Sequence, residues 1–195
     1  MKLAEVKAVL EKNGLILSIA NYQGNEDLEL DFVSIDTRNI LPGTLFICRK
    51  GVKFDSHALV TEAIQLGTKA LIVEKPVDVD QIPMLLVSDS RYAEAVVSSA
   101  FYGFPHERLK VYGITGTNGK TTISTLIHYV LTRKGKKGSL LGTVKNIIVD
   151  RYYDSEHTTP GALEVLKDAR ETISKGGEFM SMEVSSHALS MKRVE

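Results

Sequence analysis

The stretch Val111-Tyr112-Gly113-Ile114-Thr115-Gly116-Thr117-Asn118-Gly119-Lys120-Thr121-Thr122 leaves this chain few ways to fold. A short apolar run reads as a buried strand. It breaks into a glycine-rich loop and passes into a helix with apolar residues at Ile123, Leu126, Ile127, Val130 and Leu131. That order builds a phosphate site: glycines let backbone N–H groups converge on phosphate oxygens, and the helix N-terminus adds a favourable dipole. Lys120 supplies a point charge for the β/γ-phosphates and Thr121 a hydroxyl for Mg²⁺. The usual spacing, G-x4-G-K-[ST], requires glycine where this chain has Ile114. Here the loop runs G-x5-G-K-T from Gly113, or G-x2-G-K-T from Gly116. A turn without a ligand is the alternative, and it leaves the Lys-Thr pair between strand and helix unexplained.

With 195 residues, 43% hydrophobic and 25% charged, the chain has the composition of one large or two small globular domains. A net charge of zero gives no general affinity for nucleic acid. The charge is uneven: residues 1–90 hold 9 Lys/Arg against 13 Asp/Glu, and residues 91–195 hold 15 against 11, so the basic excess accompanies the phosphate loop. Cys48 is the single cysteine, which excludes an intrachain disulfide and points to a reducing compartment. No apolar run is long enough to span a membrane, and Met1–Gly14 lacks a signal-peptide core. A cytoplasmic monomer is the expectation.

Helical spacing at Leu3, Val6, Val9 and Leu10 ends at Asn13-Gly14. Extended stretches follow at 15–19, 28–35, 44–48, 69–73 and 84–87, with a type II turn at Leu41-Pro42-Gly43 and a helix over 57–66. These make a small α/β domain over 1–88. Asp89-Ser90 caps a helix to about Tyr102, expected to connect the domains over 89–108. Strand 109–115, helix 121–134 and strand 139–142 form a βαβ unit; 147–149 and 152–153 form a small excursion. Thr159-Pro160 opens a helix to about Ser174 with proline at its first position, and Phe179–Val184 is the next buried strand. The fold class is α/β: a small first domain followed by a parallel, doubly wound sheet over 109–195, with ligands at the strands' C-terminal ends. Only three strands of that sheet are clear, so the expectation is an incomplete second domain.

Glu183 ends a predicted parallel strand, where a carboxylate can reach Mg²⁺ held by Thr121, or can simply be a surface acid. Thr159 reads as a helix N-cap. Ser185-Ser186-His187 could suggest a nucleophile and base, but adjacent residues rarely form a triad, and a serine there can cap the next helix. Asp36-Thr37-Arg38 reads as a strand-end salt bridge, Lys136-Lys137 as a solvated turn, and Tyr152-Tyr153 as surface packing.

These pieces together resemble a known family. Gly-Thr-Asn-Gly-Lys-Thr-Thr (116–122) is similar to the signature loop of the Mur ligases and the related folylpolyglutamate synthases. The likeness is narrowed by Asp36-Thr37-Arg38 with Pro42-Gly43-Thr44-Leu45-Phe46, by Thr158-Thr159-Pro160, and by Met182–Leu189 with Arg193. It covers essentially the whole chain and is closest to the branch that adds the third amino acid of the peptidoglycan stem peptide.

The resemblance implies a substrate domain and part of an ATPase domain, and ATP-driven amide synthesis through an acyl phosphate, with Mg²⁺. The substrates implied are UDP-N-acetylmuramoyl-L-alanyl-D-glutamate and a diamino acid, either L-lysine or meso-diaminopimelate. It places Thr37, Val52, Lys53 and Phe54 near the uridine diphosphate, and Thr158, Thr159, Ser185 and Arg193 on the muramoyl peptide. It places Gly116, Thr117, Asn118, Gly119, Lys120, Thr121 and Thr122 around ATP, with Thr121 and Glu183 on the metal and Lys120 and Glu183 as the catalytic pair. Thr37 stands where the family often has serine, and Met191 where some members have glutamine. The family's carbamylated lysine, second-metal histidine and amino-acid specificity motif would lie beyond Glu195, so the fragment by itself is not expected to ligate. Alternatives are a sister ligase of the same family, or a non-catalytic nucleotide-binding module.

Overall fold

The computed structural model describes residues 1–51, 54–80, 82–155 and 157–194, which form two compact units. The first runs from Met1 to Phe101. Helix α1 (Leu3–Lys12) buries Leu3, Val6 and Leu10, one stripe of the 3.6-residue repeat. It is followed by β1 (Ile16–Ala20), β2 (Phe32–Ser34), β3 (Thr44–Ile47), α2 (Val60–Gln65), β4 (Thr68–Val73), β5 (Met84–Val87) and α3 (Ser90–Phe101). The strands lie in the order β1-β5-β4-β3-β2, parallel except for β1 at one edge. Ala70, Leu71, Ile72 and Val73 are all fully buried, as a central parallel strand covered on both faces requires.

Two expectations change here. The extended stretch 28–35 narrows to Phe32–Ser34, and the helix over 57–66 divides into a 3-10 turn (Ser56–Leu59) and α2. The turn forms because the Asp55 carboxylate accepts the His57 N–H and tightens the entry to the helix. The expected connector helix is α3, whose start is capped by Asp89 through the Arg91 and Tyr92 N–H groups, and α3 packs on α1 within the first unit.

The second unit begins at Tyr102. It comprises β6 (Lys110–Ile114), α4 (Lys120–Arg133), β7 (Gly138–Leu141), β8 (Lys145–Ile148), β9 (Arg151–Asp154), α5 (Ala162–Ser174), β10 (Phe179–Glu183) and α6 (Ser186–Ser190). The sheet order is β6-β10-β7-β8-β9: three parallel strands, then an antiparallel hairpin where the small excursion was expected. Strand alternation separates the helices. Phe179 and Ser181 face α4, through the His128 ring and the Ser124 carbonyl, while Met180 and Met182 pack with Ala169 of α5.

One reading of this unit is corrected. The β6 strand is not buried: it is the sheet edge, and Val111 is 45% exposed. On α4, the apolar positions Ile123, Leu126 and Val130 are exposed, and the fully buried residue is Ser124. The periodic stripe marks a face suited to cover, and among the described residues nothing covers it.

Candidate functional site

Parallel pairing puts β10 directly beside β6, with Glu183 opposite Ile114, so the carboxylate arrives at the strand end from which the phosphate loop departs. Side-chain alternation then decides its direction. Glu183 shares the α4 face with Phe179 and Ser181, and so points toward the start of that helix.

The loop between Ile114 and Lys120 bends through Gly116 (φ 141°) and Gly119 (φ 82°), left-handed conformations that side chains resist. Helix α4 begins at Lys120, one residue earlier than expected. The Lys120 ammonium folds back and donates to the Gly116 carbonyl at 2.7 Å and the Thr117 carbonyl at 3.3 Å. It therefore sits over the loop, where phosphate oxygens would meet it.

Glu183 is 1% exposed. Its Oε2 accepts the Thr121 hydroxyl at 2.9 Å and the Thr143 hydroxyl at 3.2 Å, and its Oε1 accepts the Thr143 N–H at 2.8 Å. Among the described residues no basic side chain pairs with it. A buried carboxylate with no countercharge is costly, and a divalent cation is the partner this arrangement suits. No group of three or more His, Cys, Asp or Glu occurs among the described residues. A cation here would have one carboxylate, one threonine hydroxyl, and otherwise phosphate oxygens and water, which is the habit of Mg²⁺. Gly142 permits the approach, since a Cβ there would lie 2.6 Å from Glu183 Oε1.

The muramoyl-peptide residues expected from the resemblance also gather in this unit. The Thr159 hydroxyl donates to the Glu183 carbonyl at 2.8 Å and accepts the Ser185 N–H at 3.1 Å; the Arg193 guanidinium donates to the Thr159 carbonyl at 2.8 Å. Thr159 is thus not a helix cap. Helix α5 starts at Ala162 after Gly161, two residues past Pro160, because Thr159 is committed to the end of β10. Ser185 does cap α6, accepting the Ala188 N–H. Thr158 joins the group, its Oγ1 lying 3.1 Å from the Thr143 hydroxyl oxygen. Sequence reading missed Thr143, although Gly142-Thr143 follows a predicted parallel strand and the rule that selected Glu183 applies to it equally.

In the first unit, Arg38 pairs with Asp36 and holds its carboxyl below the usual range, and Thr37 between them is buried. Phe54 is exposed; Val52 and Lys53 lie outside the described residues. The next turn is firmly built. Lys75 and His57 hold Asp55 well below the usual carboxylate range, and buried His57 accepts the Glu74 N–H at Nε2, which leaves its proton on Nδ1, facing Asp55.

A family model described as Mur ligase middle domain matches residues 114–195, and one described as Mur ligase family, catalytic domain matches residues 29–111. The UDP-N-acetylmuramoyl-L-alanyl-D-glutamate–2,6-diaminopimelate ligase of Geobacillus kaustophilus (strain HTA426) is 42% identical over 174 residues, 89% of this chain and 35% of that protein. The ligase of the same name from Listeria monocytogenes serovar 1/2a (strain ATCC BAA-679 / EGD-e) is 40% identical over 187 residues, 95% of this chain and 38% of its own length. A solved structure of a UDP-N-acetylmuramoyl-L-alanyl-D-glutamate–2,6-diaminopimelate ligase matches with a TM-score of 0.75 at 26% identity, over 89% of this chain and 35% of that one. This chain therefore spans little more than a third of the length of these relatives. No helix among the described residues is long and apolar enough to cross a membrane. The matches take in both units, and the second carries the phosphate loop and its buried carboxylate: the chain belongs to the Mur ligase family.

Proposed function

We propose that this chain is the UDP-substrate and nucleotide part of an ATP-dependent ligase. The reaction is the joining of 2,6-diaminopimelate to the D-glutamyl carboxylate of UDP-N-acetylmuramoyl-L-alanyl-D-glutamate, in peptidoglycan synthesis. The observation that carries the reading is Glu183, a buried carboxylate without a countercharge, hydrogen-bonded to Thr121 at the head of the phosphate-loop helix. The choice of diamino acid follows the names of the relatives. In this reading residues 1–88 bind the UDP end, through Thr37, Val52, Lys53 and Phe54; residues 89–108 connect; and residues 109–195 hold ATP.

Activation of a carboxylate as an acyl phosphate needs positioning and charge neutralisation more than covalent help from the protein. Gly116 to Thr122 cradle the phosphates with backbone N–H groups, and Lys120 leaves its two carbonyl partners to meet the β/γ-phosphate oxygens. Thr121 and Glu183 would hold Mg²⁺, which would supply charge neutralisation for the transferring phosphoryl group. Thr158, Thr159, Ser185 and Arg193 orient the muramoyl peptide toward the nucleotide. No side-chain nucleophile is required, in keeping with Ser185 being occupied as a cap.

Titration calorimetry with Mg·ATP and with UDP-N-acetylmuramoyl-L-alanyl-D-glutamate tests this. Lys120→Ala weakens Mg·ATP by about 10- to 100-fold, the worth of a charge-assisted hydrogen bond, and leaves the muramoyl substrate unaffected. Arg193→Ala does the reverse. A cooperatively folded chain that binds neither ligand overturns the assignment.

A further inference from the structure

We propose that Thr143 is a positioning residue that ties the cation site to the substrate-facing hydroxyl of Thr158. The inference rests on the function proposed above and adds a residue that no motif singled out.

Thr143 follows β7 and stands between two groups with different tasks. Its N–H is spent on Glu183 Oε1 at 2.8 Å. Its hydroxyl lies 3.2 Å from Glu183 Oε2 and 3.1 Å from Thr158 Oγ1. A hydroxyl has one proton to donate, so the two acceptors compete for it. The carboxylate wins while it carries an uncompensated charge, because hydrogen bonds to ionised acceptors are the stronger kind. Thr121 already donates to the same oxygen. Once a cation draws on the lone pairs of Glu183, the carboxylate is a poorer acceptor, and the Thr143 proton turns to Thr158.

That turn has a consequence for Thr158. A hydroxyl whose oxygen has accepted a hydrogen bond keeps its own proton for another partner. Thr158 is then fixed as a donor, suited to a carboxylate or carbonyl oxygen of the muramoyl peptide. While the Thr143 proton stays on Glu183, Thr158 is not fixed in that role. One side chain thereby makes cation binding and substrate binding favour each other, and the coupling is reciprocal. Thr143 is exposed, so its replacement does not disturb the core, and valine keeps both its shape and the N–H bonded to Glu183.

The test measures calorimetric affinity for UDP-N-acetylmuramoyl-L-alanyl-D-glutamate in the presence of ADP, with Mg²⁺ and with the metal chelated. In the unsubstituted chain Mg²⁺ strengthens binding about fivefold, the order of one hydrogen bond. In Thr143→Val the factor falls to about one, with metal-free affinity unchanged, and Thr143→Ser restores it. Thr158→Val, which removes the same contact from its other end, abolishes the factor too. Thermal unfolding establishes that each variant is folded. A Thr143→Val chain that keeps the full Mg²⁺ effect overturns this inference alone, as does an unsubstituted chain whose substrate affinity ignores Mg²⁺. An unsubstituted, folded chain that binds no substrate overturns the proposed function, and this inference with it.

Discussion

At the scale of single residues, the two carboxylates buried among the described residues of the second unit have different surroundings. Glu183 is held by hydroxyl and N–H partners, with no basic side chain paired to it among the described residues. Asp168, on α5, takes the Tyr153 hydroxyl and lies 3.5 Å from Arg151, which also pairs with Glu171. Burial pushes the Asp168 carboxyl up to about 6, against the Tyr153 hydrogen bond and the Arg151 charge, which pull it down. Since the folded value lies above the unfolded one, the stabilisation from this group is fully present below the ordinary aspartate value of 3.8 and is lost as pH rises through about 6. Asp168→Asn keeps an acceptor for Tyr153 and removes the titration. Between pH 4 and 7 the stability of the unsubstituted chain relative to this variant should therefore fall, by up to roughly 3 kcal/mol. Denaturant melts of both at several pH values decide it; a difference that stays flat with pH would show that the carboxyl titrates as if exposed. Neither carboxylate's burial could be read from its neighbours in sequence, because it comes from helices and strands packed over it.

At the scale of elements, local pattern served well where one element governs itself. The Asp89 cap, the α1 stripe and the glycine turn before α4 all follow from nearby residues. It failed where a distant element claims the same atoms. The pattern at Thr159-Pro160 resembles a helix start, yet the Thr159 hydroxyl is engaged 24 residues away, at the Glu183 carbonyl. The pairing of β7 with β10 supplies another case. Leu141 registers with Met182, which brings Gly142 against the Glu183 carboxylate. Gly142→Ala places a methyl carbon 2.6 Å from Oε1, well inside van der Waals contact. It should cost about 1–3 kcal/mol from overpacking and weaken Mg·ATP more than the muramoyl substrate. Chemical denaturation with paired nucleotide and substrate titrations checks this. Unchanged stability and nucleotide affinity would mean that the carboxylate has room to move aside.

At the scale of the molecule, apolar character and burial part company. Leu126 on α4 is 56% exposed, while Leu141 on β7 is fully buried in the cluster with Ile148, Met180 and Met182. Leu141→Ala should then cost about 2–5 kcal/mol in unfolding free energy. Leu126→Glu should change it by no more than about 0.5 kcal/mol, the ordinary limit for a surface position. Equal losses would show that the exposed stripe of α4 is covered in solution. The sequence by itself determined the two α/β units, the strands and helices within one or two residues at most ends, and the phosphate loop with its Lys-Thr pair. Hydrophobic period, turn chemistry and helix-terminus electrostatics are short-range, so they are written in neighbouring residues. Only the tertiary structure decided that β10 inserts beside β6, that Glu183 is buried without a countercharge, and that Thr143 spans from it to Thr158. Those facts depend on strand order and on which face each side chain takes, and both arise from bringing together residues that lie 15 to 69 positions apart.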